Sequence, residues 1–231
     1  MNLYNPTALF TLLFLLIPSL AAPGPAAREV APRAAAASVK YCDPKTTVCW
    51  SQYTSAAGVQ YRLAVDDTAK AGAAFPVVLQ IVAPKAVGWA GICFGGAMAN
   101  NPLAIGWANG AKAMVSSRRS ASTAAPGAYT GATYTMIDSL TNATHWSVTA
   151  TCTGCSAWAG AKGLDPASTA QPLAMGECRT APTAPASDTT KLAEHSATAK
   201  WTHDMTAGVN KGLSALLAAA AAGNKAAGTK A

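Results

Sequence analysis

Acidic side chains, histidines and long apolar runs are all scarce in this sequence of 231 residues. It holds 10 Asp and Glu against 17 Lys and Arg, for a formal net charge of +7, and only three histidines. The basic residues are dispersed, which argues against nucleic-acid binding and favours solubility or a basic face for an acidic partner. One apolar run, Ala8–Leu20, is too short to span a bilayer and contains Pro18. We therefore expect no membrane span.

The two ends of the chain differ in composition from its middle. Residues 1–21 end in small side chains after the apolar run, and we interpret them as a secretory signal peptide. Residues 22–40, rich in Ala and Pro, are predicted to be a flexible leader. Residues 206–231, rich in Ala and Lys, form a predicted tail with one helix over Val209–Ala222. Residues 41–205 remain as one domain of a secreted, extracellular protein.

The middle of the chain has the pattern of many short strands. Val59–Val65 alternates between apolar and other residues, and Val77–Val82 is apolar enough for a strand buried on both faces. Asn109-Gly110, between two apolar runs, predicts a tight hairpin. Short strands separated by turn residues are typical of an all-β sandwich. Further strands are predicted at Gly88–Phe94, Leu103–Ala108, Ala113–Ser117, Thr133–Asp138 and Thr144–Cys152.

Six cysteines in a chain with a secretory signal favour disulfide bonds. One pair flanks a short turn and another forms a Cys-x-x-Cys loop, where a structural disulfide is favoured over a redox-active dithiol because the context is not a βαβ unit. The third pair follows only by subtraction, since a sequence alone does not establish connectivity. The predicted pairs are Cys42–Cys49, Cys152–Cys155 and Cys93–Cys178. Asn142-Ala143-Thr144 is an N-glycosylation sequon, which places Asn142 at the surface.

Several short motifs follow one another along residues 88–196. They are Gly88–Pro102, which contains Gly95-Gly96-Ala97-Met98, and then Trp107–Gly110, Val115–Arg119, Ala128–Gly131, Thr144–Trp146, Cys152–Cys155 and Ala193–Ser196. In this order they resemble the cytochrome domain of cellobiose dehydrogenase and related fungal iron-reductase domains. The resemblance covers roughly residues 41–205, and its most specific part is the segment around Met98.

The resemblance implies an immunoglobulin-like antiparallel β-sandwich with a haem pocket at one end. It also implies a non-covalent haem b whose iron has Met98 and His195 as its axial ligands. His145 is the second candidate for the histidine ligand, although it falls in a motif that carries no ligand in relatives. Arg119 and Tyr129 fall in a segment near the haem in relatives, which implies contacts with the propionates or the pocket.

The chemistry of these residue types agrees with the implied site. A thioether favours ferrous iron, so Met/His ligation raises the reduction potential relative to two nitrogen ligands. With both axial positions filled by protein, such a centre suits electron transfer rather than oxygen activation. Gly95 and Gly96 would let the backbone approach a flat macrocycle, or they merely form a turn. Ser156, where covalent haem attachment requires a histidine, argues against a c-type cytochrome.

Two functions remain open from the sequence. The first is an extracellular electron-transfer protein that accepts electrons from a secreted flavin dehydrogenase or another reductant. It would pass them to a copper polysaccharide monooxygenase, to ferric complexes or to quinones, with any ferric reductase activity arising at the haem edge. No Gly-x-Gly-x-x-Gly sequence opens a helix, so we expect no flavin dehydrogenase domain. The second is a haem-free sandwich that binds carbohydrate or a protein partner through aromatic residues.

Overall fold

The structure, a computed structural model, describes Met1 and residues 37–219 of the chain. The predicted signal peptide beyond Met1, most of the predicted leader and the end of the predicted tail lie outside the described residues. Within residues 37–219 there is no helix with the length and apolar character that a membrane crossing requires.

Strands dominate the described part of the chain and form two sheets. The first sheet has the order β1-β2-β3-β4-β10-β9, with β13 added parallel to β3, and the second has the order β12-β11-β5-β6-β7-β8; all other pairings are antiparallel. A short 3-10 helix, Met205–Gly208, precedes β13. The strands are β1 (Val39–Cys42), β2 (Cys49–Thr54), β3 (Gln60–Asp66), β4 (Val77–Pro84), β5 (Trp89–Phe94), β6 (Leu103–Asn109), β7 (Lys112–Arg119), β8 (Gly127–Ala128), β9 (Thr133–Thr141), β10 (His145–Thr153), β11 (Gln171–Cys178), β12 (Ala197–His203) and β13 (Val209–Asn210).

The predicted all-β sandwich is confirmed, and each strand predicted from alternation or apolar runs is present. Alternate residues of facing strands fill the space between the sheets, because successive side chains of a strand point to opposite faces. Val78 of β4 is also buried, but on the outer face, so the prediction of burial on both faces holds at the start of this strand. The inner core includes Tyr61, Leu63, Leu79, Ile81, Ile92, Phe94, Trp146, Val148, Leu173 and Trp201.

Six strands were not predicted from the sequence: the two-residue strands β8 and β13, and the longer strands β1, β2, β11 and β12. In β11, Pro172, Gly176 and Glu177 interrupt the apolar pattern, and β12 is largely exposed and polar. β1 and β2 flank the turn between Cys42 and Cys49, so the folded part already includes the last residues of the predicted leader. These strands take their place from pairing with neighbours rather than from local preference, which a single sequence reflects poorly.

Two of the three predicted disulfides are present, Cys42–Cys49 and Cys152–Cys155. The predicted Cys93–Cys178 bond is not formed, and both thiols are free. In the β5–β11 register Cys93 lies opposite Ala174, whereas Cys178 lies opposite Trp89. The two cysteines are thus four residues apart along adjacent strands, about 13 Å. This exceeds the roughly 7 Å between Cα atoms that a disulfide can bridge.

The chain continues to contribute to the sandwich after residue 205. Asn210 accepts a hydrogen bond from Cys49 N and donates to Cys49 O, which fixes β13 beside β2 and β3. Leu213 then packs against Trp50 and Val78 on the outer face of the first sheet. Residues 213–219 are helical, so the predicted helix begins later than Val209 because the residues before it pair as a strand.

His203, at the end of β12, is fully buried inside the sandwich. Its Nδ1 accepts a hydrogen bond of 3.0 Å from Trp201 Nε1, and its Nε2 has no hydrogen-bond partner. Burial lowers the pKa of His203 to about 4, although the nearby Asp204 carboxylate acts in the opposite direction. The native ring therefore stays neutral at pH values where the same ring in the unfolded chain binds a proton.

Acid should therefore destabilise the fold through His203. Between about pH 6.5 and pH 4 only the unfolded chain binds this proton, so stability falls by about 1.4 kcal/mol per pH unit as the pH decreases. The variant His203→Gln lacks this contribution. Its stability deficit relative to wild type is expected to shrink by about 2–3 kcal/mol between pH 7 and pH 4.5. Urea unfolding at both pH values measures the deficit, with His145→Gln as an exposed control. A deficit for His203→Gln that is equal at both pH values would contradict the assignment.

Candidate functional site

A cavity of about 620 Å³ lies against the outer face of the second sheet. This volume is within the range of roughly 300–1,000 Å³ that is usual for small-molecule sites. Its floor consists of side chains that alternate along neighbouring strands and point away from the inner core. The floor residues are Trp89, Gly91 and Cys93 on β5, Leu103 and Ile105 on β6, Ala174 and Gly176 on β11, and Thr198 and Lys200 on β12.

Two glycines leave the centre of this floor without side chains. Gly91 and Gly176 lie opposite each other in the β5–β11 register. A Cβ atom at Gly176 would lie 3.6 Å from the Trp89 ring and 3.6 Å from the Cβ atom of His195, and one at Gly91 would lie 3.1 Å from Ile105 Cγ1. Glycine inside a strand often marks the close approach of a ligand. The centre of the floor therefore carries no side chain of its own, and the space above Gly176 is bordered by the Trp89 ring and His195.

Three loops form the walls of the cavity. The Met98 loop (residues 95–102) joins β5 to β6, the Pro126 loop (120–126) joins β7 to β8, and the His195 loop (179–196) joins β11 to β12. Each contributes side chains to the lining, so the cavity depends on how firmly the loops are attached to the sheet. The wall residues are Ala97, Met98, Thr123, Ala125, Pro126, Leu192, Ala193, Glu194 and His195.

The Met98 loop is held by a tight turn and by one asparagine. Gly95 and Gly96 both have positive φ, and a Cβ atom on Gly95 would lie 2.5 Å from Asn101 Oδ1. Of the two interpretations of this glycine pair, the structure supports the turn, since neither residue lines the cavity. Asn101 donates to the carbonyl oxygens of Ala97 (2.8 Å) and Ala99 (3.2 Å). Its Oδ1 accepts a hydrogen bond of 3.1 Å from Trp158 Nε1.

The His195 loop is attached to the outer face of the sheet by side-chain donors. Trp89 Nε1 donates to the carbonyl oxygen of Ala193 (3.2 Å), two residues before the histidine. Immediately after the histidine, Ser196 N donates to the carbonyl oxygen of Glu177 on β11 (2.8 Å). The backbone on both sides of His195 is therefore bonded to strands of the cavity floor, which determines where the imidazole can lie.

The structure brings the two predicted iron ligands to one cavity. Met98 is half-buried and His195 is exposed, and both line it from different loops. His145 is exposed on β10 of the other sheet, where its Nδ1 lies 3.0 Å from Thr144 Oγ1, and it does not line the cavity. Of the two candidate histidines, only His195 is therefore in a position to act with Met98.

Arg119 and Tyr129 lie together outside the cavity lining. The Arg119 guanidinium is 5.3 Å from the centroid of the Tyr129 ring and donates to the carbonyl oxygen of Asn100 (2.9 Å). Arg119 thus bonds to the backbone near the end of the Met98 loop. The predicted contact of these two side chains with haem propionates stays a prediction.

The lining is mostly apolar, with Glu194, His195 and Lys200 as its ionisable groups beside one cysteine. Burial raises the pKa of the Cys93 thiol to about 12, so this thiol stays protonated at neutral pH and is a poor ligand for a metal. Among residues 37–219 no group of three or more His, Cys, Asp and Glu side chains could hold a bare metal ion. One thioether and one imidazole on separate loops instead suit a metal that brings its own planar ligands.

The fold and the cavity define a β-sandwich domain with a mostly apolar cavity on the outer face of one sheet. Comparison with known families identifies the particular class: the model for the cytochrome domain of cellobiose dehydrogenase matches residues 41–214. The chain belongs to this family, whose membership implies haem b binding and electron transfer.

Relatives and solved structures agree with the family. The chain is similar to a pyrroloquinoline quinone-dependent pyranose dehydrogenase from Coprinopsis cinerea, at 31% identity over 124 residues. This match covers 53% of the chain but only 17% of the length of that dehydrogenase. The fold is similar to the cytochrome b domain of Coprinopsis cinerea pyranose dehydrogenase (TM-score 0.70, 24% identity, 77% of this chain and 93% of that one). It also resembles the cytochrome domain of Myriococcum thermophilum cellobiose dehydrogenase (TM-score 0.68, 22% identity, 78% and 95%).

The residues that build the floor and attach the loops were not predicted from the sequence. Gly91 and Gly176 form the bare centre, Trp89 anchors the His195 loop, and Arg118 bonds to two of the loops. The sequence does contain a signal for Gly91, because a glycine between Trp89 and Cys93 in an otherwise apolar strand indicates a close approach of backbone or ligand. Gly176 left none, because β11 was not predicted to be a strand.

Removing the asparagine side chain at the base of the Met98 loop should loosen this wall. Asn101→Ala removes three hydrogen bonds and leaves their partners unpaired, which we expect to lower the free energy of unfolding by about 2 kcal/mol. Urea unfolding measures the loss, and hydrogen exchange should show faster exchange across residues 97–101. Asn109→Ala is the control, since that side chain donates only to Met114 Sδ. Equal stability losses in the two variants would contradict this role.

Proposed function

We propose that this chain binds haem b non-covalently in the cavity, with Met98 Sδ and His195 as axial ligands, and transfers single electrons. The observation that carries the proposal is that these two residues, distant in sequence, line the same cavity from separate loops. Family membership supports the cofactor, and the exclusion of His145 from the lining supports the choice of histidine.

The residues of the cavity fit a flat apolar macrocycle. Gly91 and Gly176 add no side chains to the cavity, and the flanking Trp89, Leu103 and Ile105 side chains offer apolar contact. A bound haem would supply a one-electron ferric/ferrous couple, with a potential raised by thioether ligation. The chain itself would supply the Met98 thioether and the His195 imidazole as ligands. Its apolar side chains would exclude water, and no axial position would remain for oxygen.

The partners follow from the chemistry of a centre that exchanges electrons through its exposed edge. We propose a secreted flavin dehydrogenase or another reductant as donor. Since the chain is similar to part of a pyrroloquinoline quinone-dependent pyranose dehydrogenase, an enzyme with that quinone cofactor is a further possible donor. As acceptors we propose a copper polysaccharide monooxygenase, ferric complexes or quinones. The net charge of +7 would speed association with an acidic partner or with anionic ferric chelates.

We further propose that the protein is secreted and glycosylated at Asn142. Asn142 lies in the exposed turn between β9 and β10, where its Oδ1 accepts hydrogen bonds from Thr144 N (2.9 Å) and His145 N (2.8 Å). The sequon is therefore accessible to a glycosyltransferase. Secretion is also consistent with the two disulfides, which persist in oxidising compartments.

Optical spectra of the purified protein test the ligand pair. We expect sharp low-spin bands after reduction with dithionite, as for a haem with two protein ligands. Met98→Ala and His195→Ala should each change the coordination, because each removes one axial ligand, whereas His145→Ala should leave the spectrum unchanged. A featureless spectrum after haem reconstitution would favour a haem-free binding module. A spectrum altered only by His145→Ala would identify the other histidine as the ligand.

Filling the bare floor should block haem without unfolding the chain. Gly176→Leu directs a branched side chain toward the Trp89 ring and His195, so His195 must move away from the position in which it lines the cavity. We expect haem affinity to fall by at least tenfold, measured by titration of the haem-free protein. Gly176→Ala is the matched control, since its Cβ would make only ordinary contacts at 3.6 Å. Undiminished affinity in Gly176→Leu, with the fold intact by circular dichroism, would place the haem elsewhere.

A further inference from the structure

Arg118, on the outer face of β7, has an unusual environment for a charged side chain. It is only 5% exposed, and its guanidinium donates hydrogen bonds to four oxygens. One acceptor is Ser116 Oγ (2.7 Å) on the same strand. The other three are main-chain carbonyl oxygens, those of Pro126 (3.2 Å), Asp188 (2.6 Å) and Thr190 (2.9 Å).

These three carbonyl groups belong to two different walls of the cavity. Pro126 lines the cavity at the end of the Pro126 loop. Asp188 and Thr190 lie in the His195 loop, directly before the lining residues 192–195. In the β6–β7 register Arg118 itself lies opposite Leu103, which is part of the floor. One guanidinium thus connects the floor with both loops.

We propose that Arg118 is a positioning residue, which fixes the Pro126 loop and the His195 loop on the sheet and thereby holds the His195 imidazole over the floor. The role of the imidazole as an iron ligand rests on the proposed function, whereas the attachment of the two loops does not. Arg118 adjoins Arg119, which the family resemblance places near the haem, but Arg119 lies outside the lining and bonds to Asn100 of the Met98 loop.

The chemistry of the side chain suits this role. A guanidinium has five N–H donors in a rigid planar fork, and it has no acceptor. It can therefore satisfy several carbonyl oxygens that lie in different directions. A lysine ammonium is a compact charge on a flexible stem, so it cannot reach the same set of acceptors in one geometry. A lysine at position 118, which keeps only the positive charge, should therefore not restore the attachment of the two loops.

Other bonds to the His195 loop do not join it to the second wall. Ser116 Oγ donates to the carbonyl oxygen of Asp188 (2.6 Å), and Trp107 Nε1 donates to that of Pro185 (2.8 Å). These contacts hold residues 185–188, in the middle of the loop, on the sheet. Within the described residues, Arg118 is the side chain whose hydrogen bonds reach both the His195 loop and the Pro126 loop.

Hydrogen exchange on the haem-free protein tests the attachment without reference to the cofactor. In Arg118→Gln we expect the amides of residues 121–128 and 187–196 to exchange at least tenfold faster than in wild type. Arg118→Lys should show the same acceleration, because it keeps the charge and loses the fork. Arg62→Gln is the matched control. Its guanidinium bonds to Gln52 (2.7 Å), Gln60 and Gln80 on the opposite sheet, and its loss should leave both segments unchanged.

The haem-loaded protein tests the consequence for the ligand. We expect Arg118→Gln and Arg118→Lys to release haem to apomyoglobin at least tenfold faster than wild type and to weaken the low-spin bands, whereas Arg62→Gln should match wild type. Unchanged exchange in either loop, or an Arg118→Lys variant that behaves like wild type, would overturn the proposal. If exchange accelerates while wild type binds no haem, the attachment stands and the proposed function fails.

Discussion

The structure depends on how loops cover the apolar outer face of the second sheet. Trp89, Leu103, Ile105 and Trp107 give the second sheet an apolar outer surface in addition to the apolar surface inside the sandwich. Because water contact with such a surface is unfavourable, loops must cover it. Indole and guanidinium donors on this face bind the covering loops through their carbonyl groups. The loops rise above the glycines at the centre, and this arrangement creates the cavity.

The proposed chemistry follows from this construction. A site between loops and sheet lies at the surface, so a planar cofactor there would keep one edge near a partner while its faces contact protein. Met98 and His195 come from different loops, and strands, turns and side-chain bonds hold each loop separately. Ligands fixed before the cofactor binds favour a coordination that changes little between oxidation states. Such a constraint suits rapid electron transfer and leaves little room for substrate chemistry at the metal.

Much of the fold could be predicted from the sequence, and less of the site. Alternation in Val59–Val65 and the apolar run of Val77–Val82 predicted strands because these residues contact the core directly. β11 and β12 escaped prediction because Pro172, Gly176 and polar residues obscure a pattern that pairing enforces. The ligand pair came from a family resemblance, since nothing in local spacing connects Met98 with His195. Gly176 and Arg118 could not be recognised before the β5–β11 and β6–β7 registers were known.

Proton NMR of the reduced, haem-loaded protein tests the central claim most directly. If the Met98 sulfur is bound to ferrous iron, its methyl group lies over the porphyrin ring. The ring current should then give one three-proton resonance upfield of all other methyl signals, with nuclear Overhauser contacts that assign it to Met98. A diamagnetic haem-bound spectrum without such a resonance, or one in which it belongs to another methionine, would contradict the account.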